Sequence, residues 1–404
     1  MTRSIITIIF TLLIASVLAT PINTRNVNKR SFKVPRIRIN GYVPNGPKAL
    51  KRAYAKFGVK EPNPGPAALR KRDIDFGFGD ISIKATGDVA KKISLAVANS
   101  ITGNENGETS ATGTQNDASF LSPVTIGGQQ FIMNFDSGSS DTWVFNTNLP
   151  ASAQKGHTVF DSSKSTTFKK LQGQTFNISY GDGSFASGPV GTDVLNIGGA
   201  TVQAQAIGVP NQVSQSFTED QGNGLVGLAF SKLNTVRPNQ QLTFLDNVLS
   251  DLSQPVFTAQ LLADAAGSYE FGNIDTSSFT GELNVAPIDS SKGFWEFDST
   301  SAKIGNQTVN IANGKAIADT GTSLMLVSNT LVTAYWDQVQ GATLNQQVGG
   351  VIFPCNTQLP DLQVAIGSKM ATVAGANLNF AEVGKDTTSA ENCKCYSQTM
   401  WLHC

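Results

Sequence analysis

Two short stretches carry residue types from which chemistry can be built: FDSGSSDTWV (135–144) and ADTGTSLMLV (318–327). Each runs from an apolar approach through Asp, Ser or Thr, Gly, Ser or Thr and Ser to an apolar exit. Their aspartates, Asp136 and Asp319, lie 183 positions apart. One such stretch is a common turn, because Asp, Ser and Gly favour turns. Two of them suggest a duplicated motif, one per lobe, that brings two carboxylates to one point. Carboxylates that close cannot both ionise cheaply, so they share a proton. The ionised one can then act as base on a bound water while the protonated one acts as acid on a carbonyl. Such chemistry needs neither histidine nor metal. The chain has only two histidines, His157 and His403, and neither sits in a recognisable nucleophile–base setting.

The neighbours of the two aspartates fit that demand. Gly138 and Gly321 allow backbone conformations and a close approach that a Cβ would obstruct. Ser137 and Thr320 carry hydroxyls able to bond between the two loops and lock them. Ser139 and Thr322 are spaced to hold the outer carboxylate oxygens and fix their orientation.

The elements that must position these loops are strands. From Ser119 onward, segments of alternating apolar and polar residues recur between Gly, Asn, Asp and Ser turns, as in SPVTIGGQQFIMNF, FNISYGDGSFASG and FTAQLLA. This is an all-β signature. Helical patches interrupt it at NQQLTFLDNVLSDL (239–252) and SNTLVTAYWDQVQ (328–340). The alternation expected of a parallel α/β sheet is absent. At 404 residues and 40% hydrophobic content the chain can fill more than one domain.

The first hundred residues differ. Residues 1–104 hold 18 Lys and Arg against 5 Asp and Glu, and residues 105–404 hold 12 against 25. A basic leader on an acidic body implies electrostatic pairing within one chain, and a nucleic-acid arm is the weaker reading. Arg3, the apolar run 5–18 and Val17-Leu18-Ala19 describe a signal peptide. ALKRAYAKFG (49–58) has helical spacing and a glycine stop. LRKRD (69–73) is a plausible processing site, and the Gly- and Thr-rich 102–117 reads as an exposed linker. The four cysteines, Cys355, Cys393, Cys395 and Cys404, all lie late. They can pair in an oxidising compartment, and their spacing fits no zinc site. Asn177 and Asn306 open glycosylation sequons.

On these residues the chain resembles the pepsin-like aspartic endopeptidases, in the zymogen form of the fungal secreted type. SYGDGS (179–184) resembles the flap hairpin that closes over substrate. It implies flap and substrate contacts at Tyr180, Gly181 and Asp182, with Tyr180 hydrogen-bonded toward Trp143. GNGLVGLAF (222–230) resembles the strand beneath the first Asp loop. GFWEFD (293–298) and FPCNTQLPDLQVAIG (353–367) resemble second-lobe segments, and Cys355 and Cys393 match that lobe's disulfide. Residues 32–58 resemble an inhibitory prosegment. The resemblance implies an all-β bilobal fold with a cleft between pseudo-twofold-related lobes, and Asp136 and Asp319 as the catalytic pair. It also implies a secreted monomer acting at acid pH without cofactor or metal. Its partners would be protein or peptide substrates, its own propeptide and pepstatin-like inhibitors. Nucleic acid is not among them, nor is a membrane once the signal is removed.

The expected division is a signal peptide at 1–19, a basic propeptide and linker at 20–104, and lobes at 105–284 and 285–404. One mismatch accompanies it. Leu225 of the apolar-Gly strand follows Asp136 by 89 residues, and the same offset from Asp319 falls at 408, past Cys404. The ending NCKCYSQTMWLHC has no strand alternation. The second lobe is therefore expected to be short of its closing strands, and a catalytically impaired, protease-like binding protein is the alternative reading.

Overall fold

The alternation of apolar and polar residues folds into strands joined by short helices. The structure is a computed structural model. It describes residues 32–35, 37–38, 120–180, 184–261, 267–322, 324–345, 350–382 and 394–397. The expected signal peptide, the helix at 49–58, the processing site and the linker lie outside the described residues.

Two leader strands, β1 (Phe32–Pro35) and β2 (Ile37–Arg38), pair with the body. β2 runs antiparallel to β3 (Phe120–Ile126). β3 in turn forms a hairpin with β4 (Gln129–Asp136), with Ile126 opposite Gln129. The two-residue turn is Gly127-Gly128 at φ 54° and 80°, and a loop that tight needs the left-handed region at both positions. Along β4, Phe131, Met133 and Phe135 repeat every second residue and enter one core cluster. This strand delivers Asp136 at its end.

After the loop come β5 (Thr142–Val144), α1 (Ala151–Gln154), β6 (Lys169–Ser179), β7 (Phe185–Ile197), β8 (Ala200–Gly208), β9 (Gln212–Val213), α2 (Gln215–Thr218) and β10 (Gly224–Gly227). The first sheet has nine strands in the order β2-β3-β4-β10-β5-β8-β7-β6, with β9 against β7. A further β3–β7 pairing folds the sheet back on itself. β10 is the keystone: it lies parallel to β4, with Gly227 opposite Asp136, and antiparallel to β5, with Leu225 opposite Trp143.

The helical patch at 239–252 gives α3 (Phe244–Val248) and a 3-10 turn, Leu249–Asp251. Thr243 caps α3 by accepting from Asp246 N–H at 3.1 Å. β11 (Phe257–Gln260) and β12 (Ser268–Phe271) follow, and β12 sits between β11 and leader strand β1. Tyr269 and Phe271 of β12 pack into the first core.

The second lobe is built from three smaller sheets among the described residues. β13 (Ile288–Asp289), β14 (Glu296–Asp298) and β17 (Lys315–Ile317) make one; β15 (Ser301–Ile304), β16 (Gln307–Asn310), β20 (Leu362–Ile366) and β21 (Lys369–Val373) make another. The third has the order β18-β19-β23-β22, from β18 (Thr343–Asn345), β19 (Gly350–Pro354), β22 (Ala381–Glu382) and β23 (Lys394–Ser397). The second helical patch gives α4 (Asn329–Trp336), capped by Ser328, whose side chain accepts from Leu331 N–H. Its buried Leu331, Val332, Tyr335 and Trp336 join Ile304, Phe353 and Leu362 in the second core.

Two features differ from, or bear on, the expectations. The ending that lacks strand alternation contributes β23, which pairs with β19 and β22. The edge of β19 supplies the pairing there, and strand propensity yields to such context. The two Asp loops are also supported unequally. β4 has β3 on one side and β10 on the other, whereas among the described residues β17 pairs with β14 alone.

Candidate active site

Each Asp loop follows a strand, and the loops meet face to face. Ser137 Oγ donates to the Ala318 carbonyl at 2.8 Å and accepts from Thr320 N–H at 2.9 Å. Thr320 Oγ1 donates to the Phe135 carbonyl at 2.8 Å and accepts from Ser137 N–H at 3.1 Å. The four bonds form a reciprocal lock in which each hydroxyl serves once as donor and once as acceptor on the opposite backbone.

The carboxylates are held alike. Asp136 Oδ1 accepts from Gly138 N–H at 2.9 Å and Oδ2 from the Ser139 hydroxyl at 2.6 Å. Asp319 Oδ1 accepts from Gly321 N–H at 2.9 Å and Oδ2 from the Thr322 hydroxyl at 2.5 Å. A Cβ at Gly321 would collide with Oδ1 and Cγ of Asp136. The close approach expected at that glycine is thus aimed at the opposite aspartate. The surroundings are unequal: Asp136 is 2% exposed, whereas Asp319 is only half-buried.

Behind Asp136 stands a layer of supports. Leu228 N–H donates to the Asp136 carbonyl at 2.8 Å, and Ala229 N–H donates to that of Ser139 at 2.9 Å. The Tyr269 hydroxyl reaches the Phe135 carbonyl at 3.1 Å, the oxygen that Thr320 also uses. Asp141 is buried and accepts from Thr235 through both N–H, at 3.0 Å, and Oγ1, at 2.9 Å. Burial pushes its carboxyl up to about 6, against the opposing pull of the Thr235 donors and the Arg237 guanidinium.

Over the site lies Tyr180, at the end of a hairpin closed by Tyr180 N–H donating to the Ser184 carbonyl at 2.7 Å. Trp143 Nε1 donates to the Tyr180 hydroxyl at 3.2 Å. Burial, with the Asp136 charge adding to it, holds the phenol well above its ordinary range, so it stays neutral. Phe217 of α2 meets Trp143 edge-on at 5.0 Å and Tyr180 at 5.3 Å. Gly181 and Asp182 lie outside the described residues.

The remaining expected residues are elsewhere. Asn177 is exposed on β6, and Asn306 is exposed in the β15–β16 turn. Cys355, just after β19, is disulfide-bonded, and Cys393 lies outside the described residues. Among the described residues no group of three or more His, Cys, Asp and Glu could hold a metal ion, and no helix is long and apolar enough to cross a membrane.

Sequence reasoning missed Asp141, Thr235, Tyr269 and Phe217. Asp141 was in plain view inside the first motif, but an acid in a polar string reads as a turn residue. Phe217 sits in SQSFTED, which has no period to reveal it.

Paired Asp-Ser/Thr-Gly loops, locked hydroxyl to backbone between two β lobes, define an aspartic protease class of molecule. Residues 119–399 match the eukaryotic aspartyl protease family, and the chain belongs to it. It is 48% identical over 368 residues to Aspartic protease PEP3 of Coccidioides posadasii, covering 90% of this chain and 80% of that one. It is 47% identical over 278 residues to Penicillopepsin-1 of Penicillium janthinellum, covering 69% and 85%. Endothiapepsin of Cryphonectria parasitica is 42% identical over 367 residues, covering 89% and 81%.

Proposed function

We infer that this protein is a secreted aspartic-type endopeptidase precursor that hydrolyses peptide bonds in proteins at acid pH. Asp136 and Asp319 share one proton. The ionised carboxylate takes a proton from a water whose oxygen attacks the scissile carbonyl carbon. The other carboxylic acid gives its proton to the carbonyl oxygen. Collapse of the resulting gem-diol breaks the C–N bond: the carboxyl that took the water proton gives it to the leaving nitrogen, a gem-diol hydroxyl returns a proton to the other carboxylate, and the pair is again singly protonated. Tyr180 and Trp143 form the cover and its brace, and Gly181 and Asp182 contact substrate. The reciprocal lock between Ser137 and Thr320 carries this reading, because it fixes both aspartates against each other.

The basic leader acts as an inhibitory propeptide. Pairing of β1 with β12 and of β2 with β3 supports this. Body carboxylates hold the leader when ionised, so the attraction is present at higher pH and lost as pH falls. Residues 1–19 direct secretion, Cys355 pairs with Cys393, and exposed Asn306 and Asn177 are glycosylation sites. The mature enzyme works as a monomer, from lobes at 105–284 and 285–404.

The test is cleavage of a denatured protein at pH 3.5, with and without pepstatin. Asp136→Asn and Asp319→Asn should each lower kcat/KM by about 10³-fold or more. Undiminished cleavage by both variants would sink the reading.

A further inference from the structure

The exit of β10 runs against the entry to β14, away from the lock between Ser137 and Thr320. Phe230 N–H donates to the Gly293 carbonyl at 3.1 Å, and Lys232 Nζ reaches the Ser291 carbonyl. Trp295 Nε1 donates to the Leu228 carbonyl at 2.9 Å. Two steps forward along 228–232 match two steps back along 291–295, so the segments lie antiparallel. They form a seam between the first lobe and the second.

Trp295 differs from the rest of this seam because it bonds to the support of both Asp loops. On the first-lobe side, Leu228 is fully buried, and its own N–H holds the Asp136 carbonyl at 2.8 Å. On the second-lobe side, the Trp295 carbonyl accepts from Ala318 N–H at 3.1 Å. That bond extends the β14–β17 ladder by one pair beyond Glu296 and Ile317, and Ala318 precedes Asp319. The indole is seated by Phe230, with centroids 4.4 Å apart, and by Phe257, edge-on at 5.7 Å. An indole has a single polar atom, a donor, and here it serves the opposite lobe.

Among the described residues β17 pairs with β14 alone, so the strand before Asp319 takes its position from β14. We propose that Trp295 is a positioning residue that sets Asp319 against Asp136 from behind, as a second tie between the lobes. The first lobe, whose β4 is flanked on both sides, thereby lends its rigidity to the loop that has less support of its own. The proposal rests on the reading of Asp136 and Asp319 as the catalytic pair, because its kinetic effect is on their spacing.

The test uses the full chain. Trp295→Phe keeps a ring against Phe230 and Phe257 but removes the donor to Leu228. Displacements of about 1 Å cost about 10²-fold in rate. With the Ser137–Thr320 lock still closed, the loss should be smaller: kcat about tenfold lower, KM within about twofold. Lys232→Met opens the same seam away from Ala318 and should leave kcat within about twofold. Trp295→Phe combined with Ser137→Ala should lower kcat by more than the product of the separate factors, since each tie compensates for loss of the other. In the parent, the Trp295 indole N–H should exchange slowly with solvent, which needs no Trp295 variant. Exchange in Asp136→Asn needs no cleavage, and adding Trp295→Phe there should speed the Ala318 and Thr320 amides about tenfold. Persistent activity of Asp136→Asn sinks the catalytic pair alone. The role of Trp295 is overturned by fast indole exchange, by unchanged Ala318 and Thr320 amides, or by factors that simply multiply. It is overturned equally by a kcat loss in Lys232→Met that matches Trp295→Phe, or by KM rising in step as kcat falls.

Discussion

At the Asp136 carboxylate, geometry leaves no room for an extra atom. Both oxygens accept hydrogen bonds within its own loop, and Gly321 closes the opposite side. Gly321→Ala should therefore displace the carboxylate. Displacements of about 1 Å cost about 10²-fold in rate, so kcat should fall by roughly that factor. Because Gly321 is exposed, the midpoint of urea unfolding should change far less; a variant with normal kcat would refute the close approach. The roles of Gly138, Ser139 and Thr322 were legible because their spacing from each Asp repeats. Asp141 was not, because burial decides its role and no local pattern announces burial of an acid.

The locked loops can be tested as elements. Ser137→Ala removes the donor to Ala318 and the acceptor for Thr320. It should cost about 1–3 kcal/mol in urea unfolding, because the opposite groups lose their partners. Ser122 provides the comparison: it is buried on neighbouring β3, and its hydroxyl has no partner among the described residues. Ser122→Ala should be neutral or stabilising; equal losses in the two variants would mean that the lock contributes nothing specific. Strands with two-residue periodicity, such as β4, could be read from the sequence, as could the helical patch at 328–340 that gives α4. β23 could not, because its strand state comes from the partner edge of β19 rather than from its own pattern. The parallel match of β10 to β4 joins residues far apart in sequence, and it was legible only through the family resemblance of GNGLVGLAF.

For the whole molecule, Asp141 links stability to pH. Its carboxyl titrates near 6 when folded, against the ordinary value of 3.8. Between those values the folded chain holds a proton that the unfolded chain has lost. The resulting stabilisation is full below pH 3.8 and disappears as pH rises through 6. The difference corresponds to about 3 kcal/mol. Parent and Asp141→Asn should thus differ in the slope of unfolding free energy between pH 3.5 and 7, with the parent losing more on the way up; parallel slopes would contradict the titration. The lock also has a consequence in time. Its partners are 183 residues apart, and chains are synthesised at about 5–20 residues per second. The first aspartate therefore waits about 10–40 s for the second to be made. Throughout that interval Ser137 has neither of its partners across the lock, so the first loop must hold its shape on the bonds within its own lobe.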